Sequence, residues 1–168
     1  MRMSLLAAVP VAALLVLGTA ACSSNSTASP ADPAAGNSSA GSTVNLCSIL
    51  TLDRAKQLLG PDATPNDQDA KQCSYQVAAT GSSVSTQYYV DSSGQQYDIS
   101  HNLGNASLKV TVSGVGDKAF FRTDLETLYA RANDVDLIVQ LVTPDPIQDS
   151  NAALAPTKQL AQDIVAKF

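Results

Sequence analysis

The sequence predicts an α+β domain: an antiparallel sheet of about five to seven strands, with a short N-terminal helix and a C-terminal amphipathic helix packed on one face. Strand-like runs separated by turn residues occupy the middle of this domain. Apolar residues at helical spacing precede those runs and follow them. The domain is expected to span residues 44–168, a length that suits a single domain.

Both terminal helices have an apolar face and a clear boundary. The first is predicted to follow Thr51, whose hydroxyl can cap it, and to end at Gly60-Pro61. Its apolar face consists of Leu52, Ala55, Leu58 and Leu59. The last helix is predicted to start near Pro156, a residue tolerated at the first helical position, and to run to Phe168. Its apolar face consists of Leu160, Ala161, Ile164, Val165 and Phe168.

Strands are predicted where apolar or β-branched runs lie between glycine, serine and asparagine turns. These runs are Cys73–Ala79, Val84–Val90, Tyr97–Asn102, Leu108–Val112, Lys118–Arg122, Thr127–Ala132 and Val135–Val142. The last two are separated by Asn133-Asp134 and form the clearest predicted hairpin, because apolar and polar residues alternate along the second run. The polar stretch 62–69 is expected to be a loop.

The first residues of the chain predict an export signal. Arg2 precedes an apolar run, 5–17, that is too short to cross a bilayer, and small residues then lead to Cys22. We therefore expect a signal peptide over residues 1–21 and lipidation of Cys22, which would hold the protein at the extracytoplasmic face of the cell membrane. Thr19 stands where a lipobox usually has an aliphatic residue. If an ordinary signal peptidase cuts there instead, Cys22 is a free thiol on a secreted protein.

Composition restricts the possible partners. Residues 22–43 are rich in Ser, Ala, Asn and Pro without a large apolar side chain, so this segment is predicted to be a disordered linker behind the anchor. The chain has a net charge of −5 at pH 7. An acidic surface is repelled by nucleic acid, so nucleic acid is not expected as a partner. The expected partners are the membrane, through the anchor, and an envelope protein or small ligand.

Several short motifs together resemble a known family. Leu46-Cys47-Ser48-Ile49-Leu50-Thr51 opens a helix that ends in Leu58-Leu59-Gly60, Cys73 then starts a strand that contains Tyr75, and Gly114-Val115-Gly116-Asp117 follows. In this order the motifs resemble an actinobacterial lipoprotein family, the domain-of-unknown-function family 3558, over most of the domain. That family more often has Trp at the position of Tyr75. The resemblance implies a lipid-anchored envelope protein without an assigned activity.

The two cysteines of the domain are expected to form a structural disulfide. Cys47 precedes the first helix and Cys73 starts a strand, in a compartment that permits disulfides. A redox or metal pair is the alternative, but the sequence has no C-x-x-C motif and no histidine near either cysteine. With these two paired, Cys22 is the odd cysteine, which favours its lipidation.

No motif predicts a catalytic residue, metal or cofactor. Gly114-Val115-Gly116-Asp117 leads into a strand rather than a helix, so a turn with positive φ, in which Asp117 bonds its own backbone, is favoured over a phosphate loop. His101 is the only histidine, and it is expected to be exposed and non-catalytic because no nucleophile elbow is present. The loop 62–69 contains three acidic residues, Asp62, Asp67 and Asp69, but they lack the spacing of a calcium site. A solvated loop is therefore favoured.

Aromatic residues give the one indication of a binding surface. In a strand, the adjacent pairs Tyr88-Tyr89 and Phe120-Phe121 must send one ring to each face of the sheet. We therefore expect Tyr88, Tyr89 and Tyr97 to include rings that contact a ligand or partner, unless helices and loops cover them. The preferred function is a non-enzymatic binding module. The alternative is an envelope hydrolase with a site around His101.

Overall fold

The computed structural model describes residues 44–144 and 151–168, and it confirms the α+β fold. A single turn of 3₁₀ helix (Leu46–Ser48) precedes α1 (Leu52–Leu59), and a second (Ala106–Leu108) follows α2 (Gln95–Asn102). The last helix is α3 (Asn151–Val165). The strands are β1 (Thr64–Gln68), β2 (Gln72–Val77), β3 (Ser82–Val90), β4 (Lys109–Thr111), β5 (Lys118–Arg122), β6 (Thr127–Ala132) and β7 (Val135–Val142).

All seven strands form one antiparallel sheet in the order β1-β2-β3-β7-β6-β5-β4. Two meanders build it: β1 to β3 forms one half, and β4 to β7 forms the other. The connection through α2 carries the chain from β3 to the far edge, so that β7 returns beside β3. The predicted β6–β7 hairpin is confirmed, and its turn residue Asn133 has a φ of +52°.

The hydrophobic core lies between one face of the sheet and the helices α1 and α3. Its largest fully buried side chains are Tyr88, Phe121, Leu46, Leu50, Leu128, Leu137, Leu160 and Ile164. Ala55 from α1 is also completely buried, and Phe168 packs against Tyr88 with its ring centroid 5.4 Å away. The terminal helices therefore share one face, as the sequence predicts. The third helix, α2, lies on the opposite face, where Tyr97 contacts Phe120.

The predicted strand Tyr97–Asn102 is wrong, because these residues belong to helix α2. The start of this helix is held by polar contacts that periodicity does not reveal. The Asp91 carboxylate accepts hydrogen bonds from the backbone N–H groups of Ser93 and Gln95. The Asp136 carboxylate, far along the chain, accepts one from the N–H of Tyr97 at 2.9 Å. Carboxylates at the first turn of a helix accept hydrogen bonds from its unpaired N–H groups and interact favourably with the helix dipole.

Two further elements differ markedly from the predictions. Part of the expected loop 62–69 is the edge strand β1, which is exposed along its whole length and so lacks the apolar alternation that would have identified it. Helix α3 starts at Asn151 and not at Pro156. Proline removes one backbone donor, but buried Ala153 anchors the preceding turn, and the Thr157 hydroxyl donates to the Ala153 carbonyl oxygen at 2.8 Å.

Cys47 and Cys73 form the predicted disulfide, with their Cα atoms 5.3 Å apart. The bond joins the first 3₁₀ turn to β2, and the Cys73 side of it is completely buried. Its position explains why the segment before α1 is part of the core. The predicted signal peptide, Cys22 and the whole of the predicted linker, 22–43, lie outside the described residues.

Candidate functional site

A buried ion pair helps to fix helix α2 to the outer face of the sheet. Arg131 on β6 and Asp136 on β7 lie directly opposite each other, and Nη1 of Arg131 donates to Oδ1 of Asp136 at 2.8 Å. The same guanidinium donates to the carbonyl oxygens of Asp91 and Ser92. Asp136 also accepts from the N–H of Tyr97. The pair therefore joins the sheet to both the β3–α2 connection and the helix.

An aromatic cluster lies beneath α2. The ring of Phe120, on β5, is stacked on Tyr129 with a centroid separation of 4.9 Å, and it meets Tyr97 edge to face at 5.3 Å. His101, one turn further along α2, also meets Phe120 edge to face, at 5.1 Å. Burial raises the pKa of the Tyr97 phenol, with a smaller contribution from the negative charge of Asp98. The pKa of Tyr129 is also raised by burial.

A cleft of about 430 Å³ opens between α2 and the glycine turn that follows β4. We call it the α2 cleft. Its walls are formed by Tyr97, His101, Thr111, Val112, Ser113, Gly114, Val115, Gly116, Asp117, Lys118, Ala119 and Phe120. The ammonium group of Lys118 lies 4.4 Å from the centroid of the Tyr97 ring and pairs with Asp98 at 3.0 Å. The cleft thus combines aromatic rings, hydroxyl groups, a cation and the backbone of a glycine turn.

The glycine motif forms a turn, as the sequence predicts. Gly114 and Gly116 have φ values of +77° and +56°. The turn is tied to β6, because the N–H of Asp117 donates to the carbonyl oxygen of Arg131 at 2.7 Å. Asp117 does not bond its own backbone: its carboxylate accepts from the N–H of Asn133 in the neighbouring hairpin turn. Asp117 therefore stabilises the turn of the β6–β7 hairpin.

His101 is exposed, as predicted, although it lies in a helix. It shares the α2 cleft with Ser113 and Asp117, a hydroxyl and a carboxylate. Within the described part of the chain, no hydrogen bond joins the imidazole to either of them. The backbone carbonyl oxygen of His101 accepts a hydrogen bond from the Lys109 ammonium, which holds the end of α2 against β4. The contacts of the ring itself are with Tyr97 and Phe120.

The three tyrosines of the predicted binding surface are separated by the fold. Tyr88 is buried in the core, with 1% of its surface exposed. Tyr97, on α2, is buried against the sheet, although part of it borders the α2 cleft. Tyr89 points to the opposite face from Tyr88 and remains partly exposed. The prediction that each adjacent aromatic pair divides between the two faces of the sheet is confirmed.

The acidic residues of the expected loop do not form a cluster. Asp67 accepts a hydrogen bond from the Gln72 side chain, and Asp69 accepts one from the N–H of Lys71. Across residues 44–144 and 151–168 there is no group of three or more His, Cys, Asp or Glu side chains that could hold a metal ion.

Sequence reasoning missed Arg131 and Asp136, which fix α2, and Lys118, which borders the cleft. One signal was available for Asp136: it is an acid in a strand whose neighbours are otherwise apolar, and a buried acid requires a partner. Its partner cannot be inferred without the hairpin register, which places Arg131 opposite it. The role of Lys118 depends on α2, a helix that the sequence did not indicate.

Comparison with known proteins adds no relative: no family model, curated protein or solved structure matches this chain. The resemblance to the actinobacterial lipoprotein family therefore stays a prediction. Among the described helices, none is both long and apolar enough to cross a membrane.

Proposed function

We propose that this chain is a lipoprotein held at the extracytoplasmic face of the cell membrane through Cys22, and that its domain binds a small polar ligand in the α2 cleft. The observation that carries the binding proposal is the composition of the cleft. It is concave and has aromatic walls with several convergent polar groups, which is the usual character of a small-molecule site.

The charges around the cleft favour a ligand with little net charge. Lys118 is already paired with Asp98, and Asp117 accepts a hydrogen bond from Asn133. A phosphate group would have to compete for Lys118 and would face the Asp117 carboxylate. Hydroxyl groups at Ser113 and Thr111 can both donate and accept, which suits an uncharged polar molecule or a zwitterion.

The binding proposal can be tested with isotope-labelled protein and a panel of small sugars, amino acids and short carboxylic acids. We expect at least one compound to shift the amide signals of Ser113, Gly114 and His101. His101→Ala should weaken that binding at least several-fold, because the imidazole borders the cleft. Asn102→Ala is the matched control, since Asn102 is the next residue of the same helix and faces a different depression. Equal effects of the two substitutions would contradict the assignment.

The membrane anchor is a separate proposal, supported by the signal-like N-terminus and by the pairing of the other two cysteines, Cys47 and Cys73. Lipidation predicts that the intact mass of the native protein exceeds that of a chain starting at an unmodified Cys22. Cys22→Ala should leave uncleaved precursor or release the domain into the medium. An unmodified N-terminal Cys22 in the native protein would refute the anchor and leave the binding test unaffected.

A second candidate function is hydrolysis, because His101, Ser113 and Asp117 line one cleft. A base, a hydroxyl and an acid are the components of a nucleophilic site, although catalysis also needs the base within hydrogen-bond reach of the nucleophile. Esterase, amidase and glycosidase substrates should separate the two proposals. Turnover by the wild type that is lost in His101→Ala, with the fold intact, would establish the hydrolase and exclude a pure binding module.

A further inference from the structure

The outer face of the sheet carries a patch of uncharged side chains between α2 and the edge strand β1. We call it the charge-free face. It is formed by alternate residues of β2, β3 and β7, namely Gln76, Ser83, Ser85, Gln87, Tyr89, Ile138, Gln140 and Val142. All are partly exposed, whereas most of their sequence neighbours on the same strands are buried in the core.

We propose that the charge-free face is the contact surface between two copies of this chain, which associate weakly, sheet against sheet, about a twofold axis. The charge distribution supports a second copy as the occupant. The chain is acidic, with a net charge of −5, so two copies repel each other over most approaches. None of these eight residues is charged. The same alternation also places Asp136 on this face, opposite Tyr89, but it is buried and paired with Arg131. A low density of charge together with an exposed tyrosine is typical of interface cores.

The polar groups of the face are suited to pairing with themselves. A twofold interface requires one surface to complement a copy of itself. Glutamine amides and serine hydroxyls meet this requirement, because each can donate and accept a hydrogen bond. The side chains of Ser83, Ser85 and Gln87 make no hydrogen bond within the described part of the chain. Ile138 lies directly opposite Gln87 and supplies an apolar centre.

The sheet edges are poorly suited to association, which favours contact through the face. Edge strand β4 has only three residues, and β1 contains Pro65 and an irregular register between Pro65 and Gln68. Short edges, proline and bulges are devices that prevent edge-to-edge pairing. Two copies can therefore meet more readily face to face than by extending the sheet.

The size of the face predicts a weak complex. Three adjacent strands of about six residues cover a flat footprint of roughly 300 Å² per copy. This lies at the transient end of protein interfaces, well below the roughly 800 Å² per partner of a stable one. Copies attached to one membrane, as the proposed function has them, would meet at a raised effective concentration. In solution the dimer should be detected only at high protein concentration.

Sedimentation equilibrium from about 10 μM to about 1 mM tests the proposal, on the chain from position 22 with Cys22→Ser. We expect the weight-average mass of this protein to rise from that of a monomer toward that of a dimer. Gln87→Glu should abolish the rise, because the twofold axis brings the two new charges close together. Gln57→Glu, the same substitution on exposed α1, should leave it intact. Mixing Gln87→Glu with Gln87→Lys should restore a dimer, provided that circular dichroism shows both variants folded.

Three results would overturn the proposal. One is a mass that stays monomeric across the whole range for the unsubstituted face. A second is equal dimerisation of Gln87→Glu and Gln57→Glu, which would place the contact elsewhere. The third is a monomer whose Ser85 and Gln87 amide signals shift on addition of a soluble neutral glucan, which would assign the face to a polysaccharide. None of these results depends on Cys22 lipidation or on the α2 cleft.

Discussion

Arg131 and Asp136 form an ion pair that is almost completely withdrawn from solvent, with 13% of the arginine side chain and 2% of the aspartate side chain exposed. The pair joins adjacent strands of a hairpin. Its side chains also form hydrogen bonds with the backbone of α2 and of the connection before it. A Cβ atom at Gly94 would lie 2.5 Å from Nη1 of Arg131, so the connection closes directly over the guanidinium. This contact helps to fix the helix that forms one wall of the α2 cleft.

Replacing Asp136 by Asn should therefore loosen α2. The substitution keeps the shape but leaves the Arg131 charge without its anionic partner. Breaking a buried pair by removing one member typically costs about 3–5 kcal/mol, and retained polar contacts to carbonyl oxygens place this case near the lower bound. Urea unfolding would measure the loss in free energy. Hydrogen exchange at the Tyr97 amide, which donates to Asp136, should accelerate.

Asp134→Asn is the matched control for this substitution. Asp134 also faces Arg131, but at 4.0 Å and with 69% of its side chain exposed. Exposed pairs contribute at most about 1 kcal/mol, so unfolding should change little. If Asp134→Asn and Asp136→Asn were equally destabilising, the claim that the buried pair holds α2 would fail.

The start of α2 should also respond to acid through Asp91. The hydroxyl of Ser93 donates to the Asp91 carboxylate and, with the N–H groups of Ser93 and Gln95, holds the pKa of Asp91 below its ordinary value. Because the folded pKa is depressed, this contribution is present above the ordinary pKa of an aspartate. It is lost as the pH falls through the lower, folded value. The first turn of α2 should fray over that acidic window.

Carboxyl NMR titration of Asp91 measures this effect. Ser93→Ala should raise the pKa of Asp91 toward its ordinary value, since the largest lowering contact is removed. Ser92→Ala is the control, because Ser92 contributes only its backbone carbonyl oxygen to the contacts here. An Asp91 midpoint that is unchanged by Ser93→Ala would contradict the assignment of the hydroxyl as the main cause.

Comparison with the sequence shows which physical signals are local. The β6–β7 hairpin and the first helix were predictable because their burial repeats at a fixed period and because Thr51 and Asn133 mark their boundaries. The strand β1 was not, since an edge strand exposed on both sides has no periodic burial. Helix α2 was missed partly because one of the carboxylates that hold its first turn, Asp136, lies 39 residues after Tyr97.

The candidate site was harder to predict than the fold for the same reason. His101 was recognised as the single histidine, but its placement in the α2 cleft depends on α2 crossing the sheet and on the glycine turn lying opposite. Tyr88 and Tyr89 were correctly divided between two faces by strand geometry alone. Which face would be open depends on where α1 and α3 pack, and the pattern of a single strand does not contain that information.

The glycine turn offers a test of close packing. A Cβ atom at Gly116 would lie 2.2 Å from the carbonyl oxygen of Arg131, a backbone atom that cannot move without disturbing β6. At Gly114, which also has a positive φ, the nearest atom would be 3.6 Å away. Gly114→Ala should cost about 1 kcal/mol from backbone strain. Gly116→Ala should cost about 1–3 kcal/mol more because it adds a clash.

Thermal or urea unfolding of the two variants separates these contributions, since both substitutions introduce the same methyl group in the same turn. Gly81→Ala, in a turn where a Cβ would have no atom within 4 Å, gives a second reference for strain without contact. If Gly116→Ala were no more destabilising than Gly81→Ala, the close approach of the turn to β6 would not be a constraint.

Loss of the Cys47–Cys73 disulfide should destabilise the domain by an amount set mainly by the loop that it closes. The two residues are 26 positions apart, and in the chain-entropy treatment a loop of that size corresponds to about 3.5 kcal/mol. That is a large part of the roughly 5–15 kcal/mol that stabilises a typical domain. Urea unfolding with and without reductant, on a chain carrying Cys22→Ser, isolates this bond because the sequence has only three cysteines. The midpoint should fall sharply on reduction. Recovery of Cys47 and Cys73 as free thiols by non-reducing peptide mapping of the native protein would refute the pairing and, with it, the expected loss.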